Sequence, residues 1–180
     1  MAIMSKFLWF ICIFLVVGCS SGSTNRLLSA LDSPNPEVQK QAIADIVDKG
    51  LEKAVPKLSV LVGLEKGSKT IRLLAVEALG DLEDDKAVQP LVELLTEKNT
   101  EIQEKAAEAL GKLKSSKGVE ALQRCIHTQA NENLKLVSIW ALGNIGDPSA
   151  IEALVELSKS SNEYVSYNAD QALKNISDSN

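Results

Sequence analysis

The sequence from Ala87 to Leu113, AVQPLVELLTEKNTEIQEKAAEALGKL, contains two apolar patterns separated by a polar segment. In its first half, Val88, Leu91 and Leu94 recur at helical spacing. In its second half, small and large apolar residues share one stripe: Ile102, Ala106, Ala109, Leu110 and Leu113. The stretch therefore predicts a pair of short helices, each with one apolar face.

This helix pair is one copy of a repeat. The motif that opens it begins at Ala54, Ala87, Gly118 and Ala150, and its closing apolar position recurs at Ile46, Leu79, Leu110, Leu142 and Leu173. Both landmarks recur at intervals of 31 to 33 residues. A single pair cannot bury its own apolar face, whereas stacked copies can. The sequence predicts an all-α fold, a right-handed α-solenoid of about five helix pairs over residues 26–176, with 177–180 as a frayed tail.

Two segments carry a family resemblance. Ile71–Gly80, IRLLAVEALG, and Trp140–Asp147, WALGNIGD, resemble the short HEAT-like repeats of phycobilin lyase subunits and of many bacterial scaffold proteins. The arginine that often opens the second helix of such repeats is present here only as Arg72. The other repeats have Gln39, Gln103, Lys135 and Ser166 at that position. The resemblance implies that the second helices line a concave face.

The first residues predict an export signal rather than part of the fold. The apolar run Phe7–Val17 has the length of a signal-peptide core and is too short to span a bilayer. It ends in Val16-Val17-Gly18-Cys19, which resembles a bacterial lipobox and implies a signal peptide at residues 1–18 and lipidation of Cys19. The alternative is an ordinary signal peptide followed by a chance cysteine. We expect residues 19–25 to be the lipidated cysteine and a short flexible tether.

The lipobox also indicates a location. Several acyl chains hold a protein firmly on a membrane. Ser20 follows the cysteine, which by resemblance to enteric lipoproteins favours the outer membrane, facing the periplasm, in a Gram-negative organism. In other bacteria the same anchor would place the domain on the outer face of the plasma membrane.

Composition and cysteine count exclude several classes of partner. The chain has 19 basic and 24 acidic residues and a net charge of −5, which argues against binding nucleic acid or anionic lipid headgroups. Removal of the signal would leave Cys125 as the one cysteine besides Cys19, so we expect no disulfide within the domain. Cys125 aligns with the core residue Leu94, which predicts that it is buried.

Motifs typical of an active site are absent from the sequence. The single histidine, His127, aligns with Thr96 in a polar turn and is expected to be solvated. The sequence contains no spacing of ligands typical of a metal site and no glycine-rich phosphate loop. We therefore expect no catalytic residues, no cofactor and no metal.

The outward stripe of the second helices distinguishes the repeats. Trp140 stands where the other repeats place Ala44, Glu77, Glu108 and Gln171. Exposed aromatic residues beside aliphatic ones are typical of binding hot spots. The alternative is that Trp140 packs between neighbouring helices. The predicted partner-binding residues are Leu136, Trp140, Tyr164, Tyr167, Gln171, Leu73 and Glu77.

The sequence thus favours a membrane-anchored, non-enzymatic repeat scaffold that binds a protein or peptide in the bacterial envelope. One alternative is a lyase-like enzyme subunit related to the phycobilin lyases. Those proteins act in the cytoplasm, so the signal sequence counts against this reading. Another alternative is a purely structural spacer in the envelope.

Overall fold

The computed structural model describes residues 22–63, 67–127 and 131–179. In these residues it contains ten α-helices and no strand, so the predicted all-α solenoid is confirmed. The helices are α1 (residues 22–30), α2 (Pro36–Asp48), α3 (Val55–Gly63), α4 (Lys69–Asp81), α5 (Val88–Leu94), α6 (Thr100–Leu113), α7 (Val119–His127), α8 (Glu132–Ile145), α9 (Ile151–Leu157) and α10 (Glu163–Ser179). Odd-numbered helices are the first helices of the five repeats, and even-numbered helices are the second helices.

Asparagine caps open four of the five second helices. The side chains of Asn35, Asn99, Asn131 and Asn162 accept hydrogen bonds from backbone N–H groups in the first turns of α2, α6, α8 and α10. These groups lack a partner within the helix, and asparagine is one of the best residues for satisfying them. Thr100 and Gln103 have the spacing of a capping box. They do not form one, because α6 is capped by Asn99 and the Gln103 side chain donates to the Leu95 carbonyl.

The core follows the repeat, except at its two ends. Ile46, Leu79, Leu110 and Leu142 are fully buried, whereas their counterpart Leu173 in α10 is only half-buried. Val38 has the helical spacing of a core residue in the first repeat, but it is not part of the core, because 42% of it is exposed. No repeat precedes α2 or follows α10 in the described chain, so these side chains lack the neighbour that covers their counterparts.

Three of the four pairs of consecutive second helices meet through glycine and alanine. A Cβ atom added to Gly80, Gly111 or Gly143 would lie 2.7 to 2.9 Å from the Cα atom of an alanine in the next second helix, namely Ala109, Ala141 and Ala172. Real side chains essentially never approach a backbone atom so closely. These glycines therefore permit close helix contact. Gly111 does not end its helix, because α6 continues to Leu113.

The position that is often arginine in similar repeats here requires a donor, not an arginine. The side chains of Gln39, Arg72, Gln103 and Ser166 donate to carbonyls at the ends of the preceding first helices, those of Leu31, Val62, Leu95 and Ser158, over 2.8 to 3.1 Å. The last carbonyls of a helix have no partner within the helix. Each of these donors thus satisfies one such carbonyl and ties the two helices of its repeat together.

The described ends of the chain are helical. Residues 22–25, expected to belong to a tether, lie in α1. Residues 177–179 were expected to be frayed, but α10 continues through Ser179. The predicted signal peptide and Cys19 lie outside the described residues. Among the residues that the structure does describe, it contains no helix that is both long and apolar enough to cross a bilayer.

We predict that Gly80→Ala destabilises the protein although alanine favours helix. Alanine in place of glycine stabilises a helix by about 1 kcal/mol through its higher helix propensity. The added Cβ would lie 2.9 Å from the Cα of Ala109, and overpacking of this kind costs about 1–3 kcal/mol. Chemical denaturation should therefore show a lower free energy of unfolding. Gly63→Ala is the control, because a Cβ there meets nothing within 4 Å and should leave stability unchanged or raised. A stabilising Gly80→Ala would contradict the proposed close contact.

A second prediction compares the same residue type at the same repeat position. Leu110→Ala should lower the free energy of unfolding by about 2–5 kcal/mol, because Leu110 is fully buried between repeats. Leu173→Ala should lower the free energy of unfolding by about half that amount or less. Leu173 is only half-buried in the folded protein, so less of its apolar surface leaves water on folding. Equal losses in denaturant melts would show that the end of the solenoid is packed as tightly as its centre.

Candidate partner-binding groove

An open groove lies on the second-helix face between α6, α8 and α10. Its volume is about 390 Å³, and its walls are formed by Glu108, Leu136, Val137, Trp140 and Asn168. Helix α8 supplies three of these residues at the spacing of one helical turn. The groove is therefore centred on the fourth repeat, with one polar side chain from each neighbouring second helix.

Trp140 forms one wall of the groove and also packs against the preceding second helix, α6. Its side chain is 40% exposed, and its ring approaches Gly111 so closely that a Cβ there would lie 2.8 Å from Cζ3. Trp140 therefore combines the two roles considered from the sequence, an exposed binding residue and a residue packed between helices. One part of the ring packs against the preceding helix, and the rest faces solvent.

Lysines pair with two acidic groups at or near the groove. Lys105 pairs with Glu108 at 2.7 Å, and Lys112 pairs with Asp81 at 2.8 Å and with Glu108 at 4.0 Å. The hydrogen bond to Asp81 raises the pKa of Lys112, and the charges of Glu108 and Glu77 act in the same direction against the effect of desolvation. The negative charge of Glu108 in the groove wall is therefore balanced by lysine.

The structure brings only some of the predicted residues together. Leu136 and Trp140 line the groove. Tyr164 and Tyr167 are 76% and 64% exposed on α10, and with Gln171, also exposed, they lie outside its lining. Leu73 and Glu77 are half-buried on α4, two second helices away from α8.

Glu108 and Asn168 line the groove but are not among the residues predicted from the sequence. When the repeats are aligned, Tyr167, rather than Asn168, corresponds to Leu136. A shift of one residue turns a side chain by about 100° around a helix, which is enough to move it out of the groove. The repeat alignment contained a signal, since Asn168 aligns with Val137 and Glu108 aligns with Trp140.

Outside the groove, the residues considered for chemistry have ordinary structural environments. Cys125 is buried as predicted, and burial raises the pKa of its thiol, while a hydrogen bond with Ser138 acts in the opposite direction. A thiol with a raised pKa is a poor nucleophile near neutral pH. His127 is exposed, as expected. Within the described ranges, no three His, Cys, Asp or Glu side chains form a group that could hold a metal ion.

Comparison with solved structures finds the same architecture in natural and designed proteins. A chain of the CpcE–CpcF complex of phycocyanin lyase from Nostoc sp. PCC7120 matches with a TM-score of 0.68 at 21% identity, over 86% of this chain and 65% of that one. Human deoxyhypusine hydroxylase matches with 0.65 at 18% identity, over 86% and 62%. This chain therefore spans less than two thirds of either natural protein.

A designed armadillo repeat protein in complex with the peptide (KR)4 matches with a TM-score of 0.59 at 24% identity, over 88% of this chain and 83% of that one. A comparison with curated proteins gave no significant match. At these identities the structural matches establish the fold alone.

A family model for HEAT repeats matches three overlapping segments, residues 24–99, 59–137 and 126–180. Together they cover the solenoid from α1 to α10. The match agrees with the helix pairs, the 31- to 33-residue period and the stacked second helices. This chain belongs to the HEAT-repeat family.

Proposed function

We propose that this protein is a lipid-anchored, non-enzymatic HEAT-repeat scaffold of the bacterial envelope, and that it binds a segment of another protein in the groove at Trp140. The observation that carries the proposal is the partly exposed Trp140 beside Leu136 and Val137. In the neighbouring second helices the position of Trp140 is occupied by Glu108 and Gln171. The fourth repeat therefore has an apolar surface that its neighbours do not have.

The electrostatics of the groove favour an apolar ligand. Because Lys105 and Lys112 already pair with Glu108 and Asp81, the acidic groups exert little net attraction on a basic ligand. The indole ring, Leu136 and Val137 offer apolar surface, while Asn168 can donate to or accept from a backbone. An inserted aliphatic or aromatic side chain flanked by polar backbone contacts fits these properties best.

The architecture supports this class of function. Stacked helix pairs create an extended concave surface, and such surfaces commonly bind peptides and proteins. The designed armadillo repeat protein of similar fold was solved with a bound peptide. The thiol of Cys125 is buried and its pKa is raised, so it is a poor nucleophile.

The binding proposal predicts that Trp140→Ala weakens partner binding by about 2 kcal/mol or more, as loss of a hot-spot aromatic does. A photo-crosslinking residue at Asn168 should capture a partner in native membranes, and Trp140→Ala should abolish that capture. The fold should persist, because Glu77 and Glu108 occupy the same position in other repeats.

The control is Val60→Ala, since Val60 is 65% exposed on α3, a first helix away from the groove. A crosslinker at position 60 should not capture the partner, and Val60→Ala should not affect capture from position 168. If Trp140→Ala instead lowers the melting temperature and leaves capture unchanged, Trp140 is a structural residue and the binding proposal is wrong.

The anchoring proposal predicts that Cys19→Ala leaves an unprocessed precursor or releases the protein from membranes. Val16-Val17-Gly18-Cys19 after the apolar run is its basis. Cell fractionation and mass spectrometry of the N-terminus measure both effects. Cys12→Ala, within the apolar run, is the matched control and should be processed normally. A wild-type protein with an unmodified N-terminal Cys19 would refute lipidation.

A further inference from the structure

The N-terminal end of the solenoid leaves an apolar position uncovered that every later repeat buries. The residues at this position are Ile71, Ile102, Leu134 and Val165, and they are 0 to 6% exposed. Their counterpart Val38 is 42% exposed. It lines an open groove of about 520 Å³ between α1 and α2, together with Leu27, Ala30 and Ala42. The N-terminal end therefore has the apolar surface on which a preceding repeat would pack, but the described chain has no such repeat.

The C-terminal end has the complementary defect. Val55, Val88 and Val119 open their first helices and are 1 to 5% exposed, whereas the equivalent Ile151 is 41% exposed. In the interior, a short turn of the next repeat packs against each of these first helices. Leu173 is half-buried for the same reason. This end therefore has the other half of a repeat junction.

The close contact between second helices also changes character at the two ends. Three of the four interior junctions pair Gly80 with Ala109, Gly111 with Ala141 and Gly143 with Ala172, whereas the junction of α2 with α4 has Val47 at the glycine position. The alanine position in α2 is Asp45, and the glycine position in α10 is Lys174. Neither charge takes part in an ion pair within the described chain. The two ends thus carry opposite charges at equivalent points of one interface.

We propose that copies of this chain stack head to tail, with the C-terminal end of one copy on the N-terminal end of the next, at a wider helix spacing than the glycine–alanine junctions, because Lys174 and Asp45 have side chains where those junctions have glycine and alanine. Lys174 of one copy then meets Asp45 of the other at the position of the glycine–alanine contact. The junction covers Val38 on one side and Ile151 and Leu173 on the other. Because the two surfaces differ, the contact is heterologous and can continue into an open chain.

The interior junctions predict further contacts between the copies. Glu132 of α8 accepts a hydrogen bond from Asn162, the cap of α10. The equivalent residues at the ends are Glu163 and Asn35, so stacking places them together. One contact is unfavourable. Lys69 pairs with Glu101 between α4 and α6, but the residues at these positions on the two ends are Glu163 and Glu37. Stacking therefore brings two carboxylates together and is weaker than an interior junction.

This proposal is independent of the groove at Trp140, and charge reversal tests it. Sedimentation velocity of the full-length chain, in density-matched detergent, gives the mass over a range of concentrations. We expect the wild-type mass to rise with concentration. Lys174→Glu should weaken association about five-fold or more, because it replaces an attraction with a repulsion. Adding Asp45→Lys to that variant should restore association, and Glu163→Lys alone should strengthen it by recreating the Lys69–Glu101 pair.

Val38→Asp tests the apolar part of the interface and should also reduce the mass, whereas Val60→Asp, at an exposed position away from both ends, should not. Thermal melts confirm that each variant is folded. A wild-type mass that stays monomeric at every concentration overturns the proposal. So does a double variant, Asp45→Lys with Lys174→Glu, that is no better than Lys174→Glu alone. If Val38→Asp leaves the mass unchanged but weakens binding to phosphatidylethanolamine vesicles, the N-terminal end faces lipid and the proposal is wrong.

Discussion

The close contact of glycine with alanine, which joins three of the four pairs of consecutive second helices, is the constraint on which the packing from α4 to α10 depends. No Cβ fits at Gly80, Gly111 or Gly143, so neighbouring second helices approach backbone to backbone. This spacing brings the apolar residues of each repeat into the next one and leaves Leu79, Leu110 and Leu142 fully buried. It also positions the binding groove, because the ring of Trp140 lies directly against Gly111.

The hydrogen bonds that join the two helices of a repeat require a side-chain donor that reaches the carbonyl, rather than a particular residue. Gln39, Arg72, Gln103 and Ser166 differ in size and charge, yet each donates to a carbonyl at the end of the preceding first helix. Arg72 is long enough to bind Glu97 as well, at 2.5 Å, and so joins two repeats. Sequence variation at this position is therefore compatible with an almost constant backbone.

The same separation of scaffold and surface accounts for the candidate site. The interior repeats bury equivalent faces, but their outward faces differ: the third repeat pairs Lys105 and Lys112 with Glu108, and the fourth exposes Trp140 beside Leu136. A repeat whose charges are already paired within the protein has few groups left to bind a partner. A neighbouring repeat with an exposed apolar surface can bind a partner favourably, because that surface then leaves water.

The sequence by itself determined the helix pairs, their period, the burial of Cys125 and the unusual character of Trp140. These follow from local spacing and from comparison of one repeat with another. Tertiary structure alone decided that Val38 and Leu173 lack full cover, that Asn168 rather than Tyr167 faces the groove, and that lysines balance the charge of its glutamate. Burial at an end depends on a neighbouring repeat being present. The facing of a side chain depends on the rotation of one helix against another, which the spacing of residues along a single helix does not contain.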